Sequence, residues 1–171
     1  MSGAPASLLD EVLTRYRSLP PKEQAELREI AKADIERRLW VPTPGPQSEA
    51  YYSQADVMLY GGEAGGAKSD LILGLAFTAH KNSLIMRRQY ADLGGLTERA
   101  VKINRSRKGF NGSPPPKLRT GDERLIEFGA AQHVGDEAAF QGRPHDLLGF
   151  DEAWQFDINQ IRFLMTWLRT T

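Results

Sequence analysis

The chain has 171 residues, of which 40% are hydrophobic and 26% charged, a composition typical of a soluble globular protein with one substantial domain. Its 22 Lys and Arg residues balance its 22 Asp and Glu residues, so net charge alone does not indicate a polyanionic partner. The absence of cysteine excludes disulfides and thiolate metal sites, and no apolar run approaches the roughly 20 residues of a membrane-spanning helix.

Residues 1–41 predict an N-terminal region of two short helices. Apolar residues recur at helical spacing over 8–16, where Ser7 is a candidate N-cap, and again over 27–39, after two consecutive prolines. The other faces of both helices are heavily charged. The region is therefore either a solvated helical hairpin packed on the core or an arm that docks on a partner. No secretory signal is visible at the N-terminus, so we expect a cytoplasmic protein.

Residues 42–171 predict an α/β domain. A proline-rich connector over 42–47 leads to residues 56–60, whose three consecutive apolar residues are typical of a strand buried on both faces. A glycine-rich turn, a helix over 69–80 and a second apolar strand over 83–87 follow. The order strand, turn, helix, strand is a βαβ unit and predicts a mostly parallel sheet.

The second half of the domain continues this pattern. Residues 92–102 predict a helix, and the glycine- and proline-rich residues 109–116 predict an irregular loop. Apolar runs predict strands over 124–128 and 146–150. A further helix begins after Asp157, which is a good N-cap, and carries an apolar stripe.

The turn at residues 61–69 reads GGEAGGAKS and fits the phosphate-binding pattern G-x-x-x-x-G-K-[ST], except for an alanine at the second glycine. Lys68 is predicted to reach the β- and γ-phosphates of ATP, and the Ser69 hydroxyl to bind Mg²⁺. Ala67 is compatible with such a turn if its backbone has already entered the helical φ/ψ region. The alternative is a glycine-rich turn that Lys and Ser follow by chance. The predicted nucleotide-binding residues of the turn are Gly62, Gly65, Gly66, Ala67, Lys68 and Ser69.

An apolar strand ends in two carboxylates, Asp151 and Glu152. In P-loop ATPases the first acid holds Mg²⁺ through water and the second polarises the attacking water. A hydrophobic run followed by Asp-Glu can also be a strand that leads to a solvated turn. Because this pair lies 83 residues after Lys68 in an α/β pattern, it is predicted to form the second half of the ATP site.

Together, the motifs over residues 40–169 resemble the terminase large subunits of tailed phages, the motors that pump DNA into capsids. The resemblance is carried by the segments WVPTPGPQ, GGEAGGAKS, RRQYADLGGL, RLIEFG and QGRPHDLLGFDEA. It implies a P-loop NTPase fold of the glutamate-bearing class, with ATP and Mg²⁺ as ligands. It also implies double-stranded DNA, the portal protein and the terminase small subunit as partners, and a homo-oligomeric ring in the cytoplasm of the bacterial host.

The resemblance implies roles for further residues. Gln47 would lie against the adenine, although it could equally be an ordinary polar residue of the connector. An arginine would stabilise charge on the γ-phosphate, either from the same subunit or from a neighbour. Arg143 is the first candidate, with Arg87 and Arg88 as the others, although any of the three could instead be a salt-bridge residue. Lys68 and Glu152 complete the predicted catalytic set.

The resemblance also implies parts that this sequence lacks. Terminase large subunits carry a nuclease domain, and the glutamate-bearing class has a further central strand after the acidic one. We therefore expect the chain to be a truncated ATPase domain with unpaired sheet edges and exposed apolar surface. The alternatives are a helicase-like, nucleic-acid-dependent ATPase and a non-catalytic fragment that binds a partner through its N-terminal helices.

Charge is unevenly distributed in the second half of the chain. Residues 99–119 contain seven Lys or Arg residues and no Asp or Glu. This segment is either a surface that binds phosphate backbones or solvated loop charge. The three histidines, His80, His133 and His145, lack metal-ligand spacing and are expected to be structural or exposed.

Overall fold

The computed structural model describes residues 8–62 and 67–169, and the chain divides into two compact units, Met1–Arg38 and Leu39–Thr171. The α-helices are α1 (Leu8–Ser18), α2 (Pro21–Arg37), α3 (Pro46–Tyr51), α4 (Lys68–Thr78), α5 (Leu93–Ile103) and α6 (Ile158–Met165). The strands are β1 (Asn82–Arg87), β2 (Phe110–Asn111), β3 (Lys117–Arg119), β4 (Leu125–Ala130) and β5 (Leu147–Phe150). Short 3₁₀ helices cover Tyr90–Asp92, Asp136–Phe140 and Ala153–Gln155. Within the described residues, no helix combines the length and apolar character that crossing a membrane would require.

The first unit consists of the two predicted helices. Pro21 starts α2, where its missing N–H is not needed. The guanidinium of Arg28 on α2 donates a hydrogen bond to the Tyr16 hydroxyl on α1, so the two helices contact each other. No residue of α2 is buried. The predicted cap Ser7 lies outside the described residues.

In the second unit, five strands of the described residues form one mixed sheet in the order β2-β3-β4-β1-β5. β1 is parallel to β4 on one side and to β5 on the other, whereas β3 is antiparallel to both β2 and β4. The expectation of a mostly parallel sheet is therefore wrong for half of the strand pairs. Only residues 120–124 separate β3 from β4, and a connection this short joins antiparallel strands.

Side chains alternate between the two faces of the sheet along β1, and at the centre of the sheet both faces are buried. Ile85 belongs to a core cluster with Leu73 of α4, and Leu84 belongs to a second cluster with Leu164 of α6. All four side chains are at most 3% exposed. Burial of each stabilises the fold by roughly 1.5–3 kcal/mol, so helices on the two faces are held to one rigid sheet.

Residues 40–51 pack on α4. A Cβ atom added to Gly74 would lie 2.5 Å from atoms of the Trp40 ring, so the helix and the ring are in close contact. The Tyr51 and Thr78 hydroxyls are 2.9 Å apart. These contacts fix the proline-rich connector beside the helix that follows the glycine-rich turn.

The strand predicted over residues 56–60 is not formed. Val57 is 69% exposed and Leu59 is 90% exposed, and the segment pairs with no strand among the described residues. An apolar run indicates that a segment can be buried, but it does not supply the neighbouring strand that its backbone needs. A parallel bridge between His145 and Leu168 lies just before β5 begins.

The other predicted elements are present with small shifts at their ends. The strands β1, β4 and β5 and the helices α4, α5 and α6 all begin within two residues of the predicted starts. The prediction of an irregular loop over 109–116 is wrong near its start, because Phe110 and Asn111 form β2. Phe110 pairs there with Leu118 of β3, so a two-residue strand extends the sheet before the prolines turn the chain.

Candidate nucleotide-binding site

The start of α4 and the end of β5 meet at one edge of the sheet. Ser69 is the second residue of α4, and Asp151 directly follows β5. The Ser69 Oγ donates a hydrogen bond of 2.9 Å to Asp151 Oδ2, although the two residues are 82 positions apart in the chain. The backbone N–H of Asp151 donates to the Met86 carbonyl at 2.9 Å, which fixes the carboxylate beside the end of β1.

Arg87, the last residue of β1, binds the same carboxylate. Its Nε and Nη2 atoms donate to Asp151 Oδ2 at 2.9 and 2.6 Å. Its Nη2 is also 4.0 Å from Glu152 Oε1. Because Asp151 is only 4% exposed, this arginine compensates a carboxylate that is removed from water. Among the three candidate arginines, Arg87 is the one that contacts the acidic pair.

Glu152 differs from its neighbour in backbone and exposure. Its φ and ψ are 61° and 50°, a left-handed conformation that costs a non-glycine residue roughly 1–2 kcal/mol. This turn leaves the Glu152 side chain 44% exposed while the Asp151 side chain is 5% exposed. The two adjacent carboxylates thus occupy different environments. The Glu152 Oε2 accepts a hydrogen bond from Gln155.

Ala67 does not meet the condition under which its methyl group was expected to be tolerated. Its φ and ψ are 51° and 33°, which is left-handed rather than right-handed helical. The residue caps α4, and its carbonyl accepts the hydrogen bond of the Leu71 N–H. Alanine therefore occupies the conformation for which the phosphate-binding pattern places a glycine. The predicted Gly65 and Gly66 lie outside the described residues.

Lys68 and Gln47 both bind the backbone of this turn. The Lys68 ammonium donates to the Gly62 carbonyl at 2.9 Å. Gln47 is 6% exposed; its Oε1 accepts from Thr43 N at 2.6 Å and its Nε2 donates to Ala67 O at 3.1 Å. Gln47 therefore fixes the connector to the end of the turn. Neither bond uses the second N–H of the Gln47 amide or the second lone pair of Oε1, so these two bonds leave it able to hydrogen-bond another group.

Arg143, the first candidate for the arginine that acts on the γ-phosphate, lies elsewhere. Its guanidinium binds the carboxylate of Glu127 on β4 and lies over the Phe140 ring, 5.5 Å from the centroid. Glu127 is three residues before the end of β4, which is about 10 Å along a strand. Arg88, another candidate, donates to the Ala131 carbonyl and to Gln160 Oε1.

Glu127 is the centre of a buried charge cluster that sequence reasoning missed. It is 2% exposed, with Lys117 Nζ at 3.2 Å and His145 Nε2 at 3.3 Å, in addition to Arg143. Burial raises the pKa of Glu127, but the His145 hydrogen bond and the charges of Arg143 and Lys117 outweigh it and hold this pKa below its ordinary value. Glu127 within the otherwise apolar run of the segment RLIEFG was the sequence feature that could have indicated this cluster.

A second missed contact joins two helices next to the site. Arg99 of α5 donates two hydrogen bonds to Asp70 of α4, at 2.7 and 2.6 Å. Asp70 follows Ser69, so this fork-to-fork pair ties the first turn of α4 to α5. The Asp70 hydrogen bond raises the pKa of Arg99, and burial opposes it. No sequence signal links residues that are 29 positions apart.

Ser69 and Asp151 supply oxygen atoms of the kind that Mg²⁺ binds. The described residues contain no group of three His, Cys, Asp or Glu side chains that could hold a metal ion. A hydroxyl and one carboxylate nevertheless suit Mg²⁺, which takes oxygen ligands and fills the rest of its shell with water and substrate phosphates.

No family model, curated protein or solved structure matches the chain. The site and the motif resemblance are thus the basis for assigning a function.

Proposed function

We propose that this chain binds and hydrolyses ATP with Mg²⁺, as the ATPase part of a terminase large subunit that moves double-stranded DNA into a procapsid. The contact of 2.9 Å between Ser69 Oγ and Asp151 Oδ2 carries the proposal. A hydroxyl just after a glycine-rich turn and a carboxylate just after a parallel strand are the groups through which P-loop ATPases hold Mg²⁺. The packaging role depends on the motif resemblance over residues 40–169.

Lys68 and the start of α4 are proposed to bind the phosphates. The Lys68 ammonium now binds the neutral Gly62 carbonyl. An ammonium and an ionised phosphate carry opposite charges, so a nucleotide phosphate is a stronger partner for Lys68 than the neutral Gly62 carbonyl. The N-terminus of α4 adds partial positive charge at the same place.

Glu152 is proposed as the base that accepts the proton of the attacking water. It follows the buried Asp151, and its side chain is exposed enough to reach a water molecule. Arg87, rather than Arg143, is proposed to stabilise charge on the γ-phosphate, because its Nη2 lies 2.6 Å from Asp151 Oδ2 and 4.0 Å from Glu152 Oε1. When bound, Mg²⁺ neutralises part of the charge on the phosphates.

The first experiment is calorimetric titration of the chain with a non-hydrolysable ATP analogue and Mg²⁺. Saturable binding is expected, and Lys68→Ala should weaken it by about ten- to a hundredfold, because one charge-assisted bond contributes roughly 1.5–3 kcal/mol. Lys81→Ala, which removes an exposed lysine just before β1, is the matched control and should bind as the wild type does. Equal binding by Lys68→Ala and the wild type would refute the assignment of this turn.

The macromolecular partners are proposals of the same kind. The motif resemblance suggests a homo-oligomeric ring that contacts the portal protein, the terminase small subunit and double-stranded DNA. Stimulation of ATP hydrolysis by duplex DNA would support a motor. Hydrolysis that duplex DNA leaves unchanged would favour an ATPase with another partner.

A further inference from the structure

The described residues around the end of α5 form a strongly basic surface. Residues 99–119 hold seven of the 22 Lys and Arg residues of the chain and none of its 22 Asp and Glu residues. Two of the seven are paired with carboxylates, because Arg99 binds Asp70 and Lys117 binds Glu127. The remaining basic side chains are exposed, and they are Lys102, Arg105, Arg107, Lys108 and Arg119.

A backbone hydrogen bond holds three of these residues near one another: Arg107, Lys108 and Arg119. We call these three residues the basic turn. The N–H of Arg119 on β3 donates to the Gly109 carbonyl at 3.0 Å, which fixes the turn to the strand. Gly109 has φ +82°, and a Cβ there would lie 2.1 Å from the Arg119 carbonyl oxygen, so only glycine allows this approach.

The turn is ordered by its own contacts rather than by acidic partners. The Phe110 N–H donates to the Arg107 carbonyl at 3.1 Å, and the Lys108 N–H donates to Ser106 Oγ at 3.0 Å. The Arg107 guanidinium lies over the Phe110 ring, 5.6 Å from its centroid. The backbone that carries the three basic residues is therefore fixed, and their exposed side chains are accessible to a polyanion.

We propose that the basic turn contacts the phosphate backbone of double-stranded DNA. Several cations without intervening acids bind phosphates irrespective of sequence. An anionic membrane surface is disfavoured, because residues 104–109 read NRSRKG and offer no apolar side chain to insert between lipids. The inference deepens the proposed function by naming residues that would contact its DNA substrate, and the choice of DNA over another polyanion rests on that function.

The test is fluorescence anisotropy of a labelled DNA duplex of arbitrary sequence, titrated with the chain at several NaCl concentrations. The triple variant Arg107→Ala, Lys108→Ala, Arg119→Ala should bind about tenfold or more weakly. Its plot of log affinity against log salt should be shallower by about 2 to 3, since each phosphate contact contributes about 0.9 to the slope. The matched control removes three exposed basic residues of the N-terminal helices, Arg17, Lys22 and Lys32, and should bind within about twofold of the wild type.

The result that overturns the inference is equal loss in both triple variants, unchanged binding by the basic-turn variant, or a wild-type chain that binds no duplex. Binding to phosphatidylserine vesicles without binding to duplex DNA would also overturn it. Calorimetry with the ATP analogue separates the two proposals. The basic-turn variant should keep nucleotide binding, and Lys68→Ala should keep DNA binding.

Discussion

Arg87 donates two hydrogen bonds to a single oxygen of Asp151, at 2.9 Å from Nε and 2.6 Å from Nη2. The Ser69 hydroxyl donates to the same oxygen. The carboxylate is therefore held by a resident cation at the place where Mg²⁺ is proposed to bind. The stability contributed by Arg87 should consequently depend on whether Mg²⁺ and nucleotide are present.

Arg87→Ala should lower the free energy of unfolding by about 2–3 kcal/mol in the absence of nucleotide, because it leaves Asp151 buried without its positive partner. With saturating Mg²⁺ and ADP, which lacks the γ-phosphate whose charge Arg87 is proposed to stabilise, the loss should be smaller, because Mg²⁺ would then compensate the carboxylate. Urea unfolding of wild type and variant under both conditions measures the difference. The neighbouring Arg88→Ala is the control, and its loss should be the same with and without ligand. An Arg87→Ala loss that ligand does not reduce would contradict this account of Asp151.

Glu152→Gln should separate nucleotide binding from hydrolysis. The substitution keeps the shape of the side chain and removes the proton acceptor, so the turnover rate should fall by about a hundredfold or more. The dissociation constant of the ATP analogue should stay within about threefold. Glu123→Gln is the matched control, because Glu123 is also exposed and also has a positive φ, of 67°. Full activity of Glu152→Gln would assign the base to another residue.

Ala67→Gly should be neutral or stabilising, whereas Ala79→Gly should destabilise the protein. Because Ala67 has φ 51°, glycine removes backbone strain at this position. This gain offsets the larger conformational entropy of glycine in the unfolded chain. Ala79 has φ −111° and is exposed, so glycine there adds only the entropy cost of about 0.4–1 kcal/mol. Ala67→Val should cost more than about 1 kcal/mol, because a β-branched residue disfavours the left-handed region. Urea unfolding measures all three, and equal destabilisation by both glycine variants would contradict the backbone conformation of Ala67.

The cluster around Glu127 should make the fold sensitive to acid. Its pKa is lower in the folded chain than the ordinary value of 4.5, so the carboxylate stabilises the fold above about pH 4.5. This contribution is lost as the pH falls through the folded pKa. Glu127→Gln should cost about 1–2 kcal/mol near pH 7, because Arg143 and Lys117 lose their buried partner but are exposed enough for water to compensate part of the loss. The gap between wild type and variant should close as urea unfolding is repeated from pH 7 down to pH 3. A gap that is constant with pH would show that Glu127 does not carry this charge in the fold.

Local pattern was sufficient for most of the elements. Helical spacing and the capping residue Asp157 predicted α6, and Asp157 indeed accepts a hydrogen bond from Asn159 N at its start. Apolar runs likewise predicted β1 and β5. The run over residues 56–60 carried the same signal and failed. A strand is completed by a neighbour that shares its hydrogen bonds, and no local pattern reports whether that neighbour is present.

The sequence by itself determined which residue types could bind a phosphate and a metal. The spacing of the glycines, Lys68 and Ser69 is a local feature, and so is the acidic pair after an apolar run. Only the tertiary structure decided which of them meet. It brought Ser69, Asp151 and Arg87 together at the ends of α4, β5 and β1, and it placed Arg143 on Glu127 instead. The physical reason is that strand order and register set distances between residues far apart in the chain.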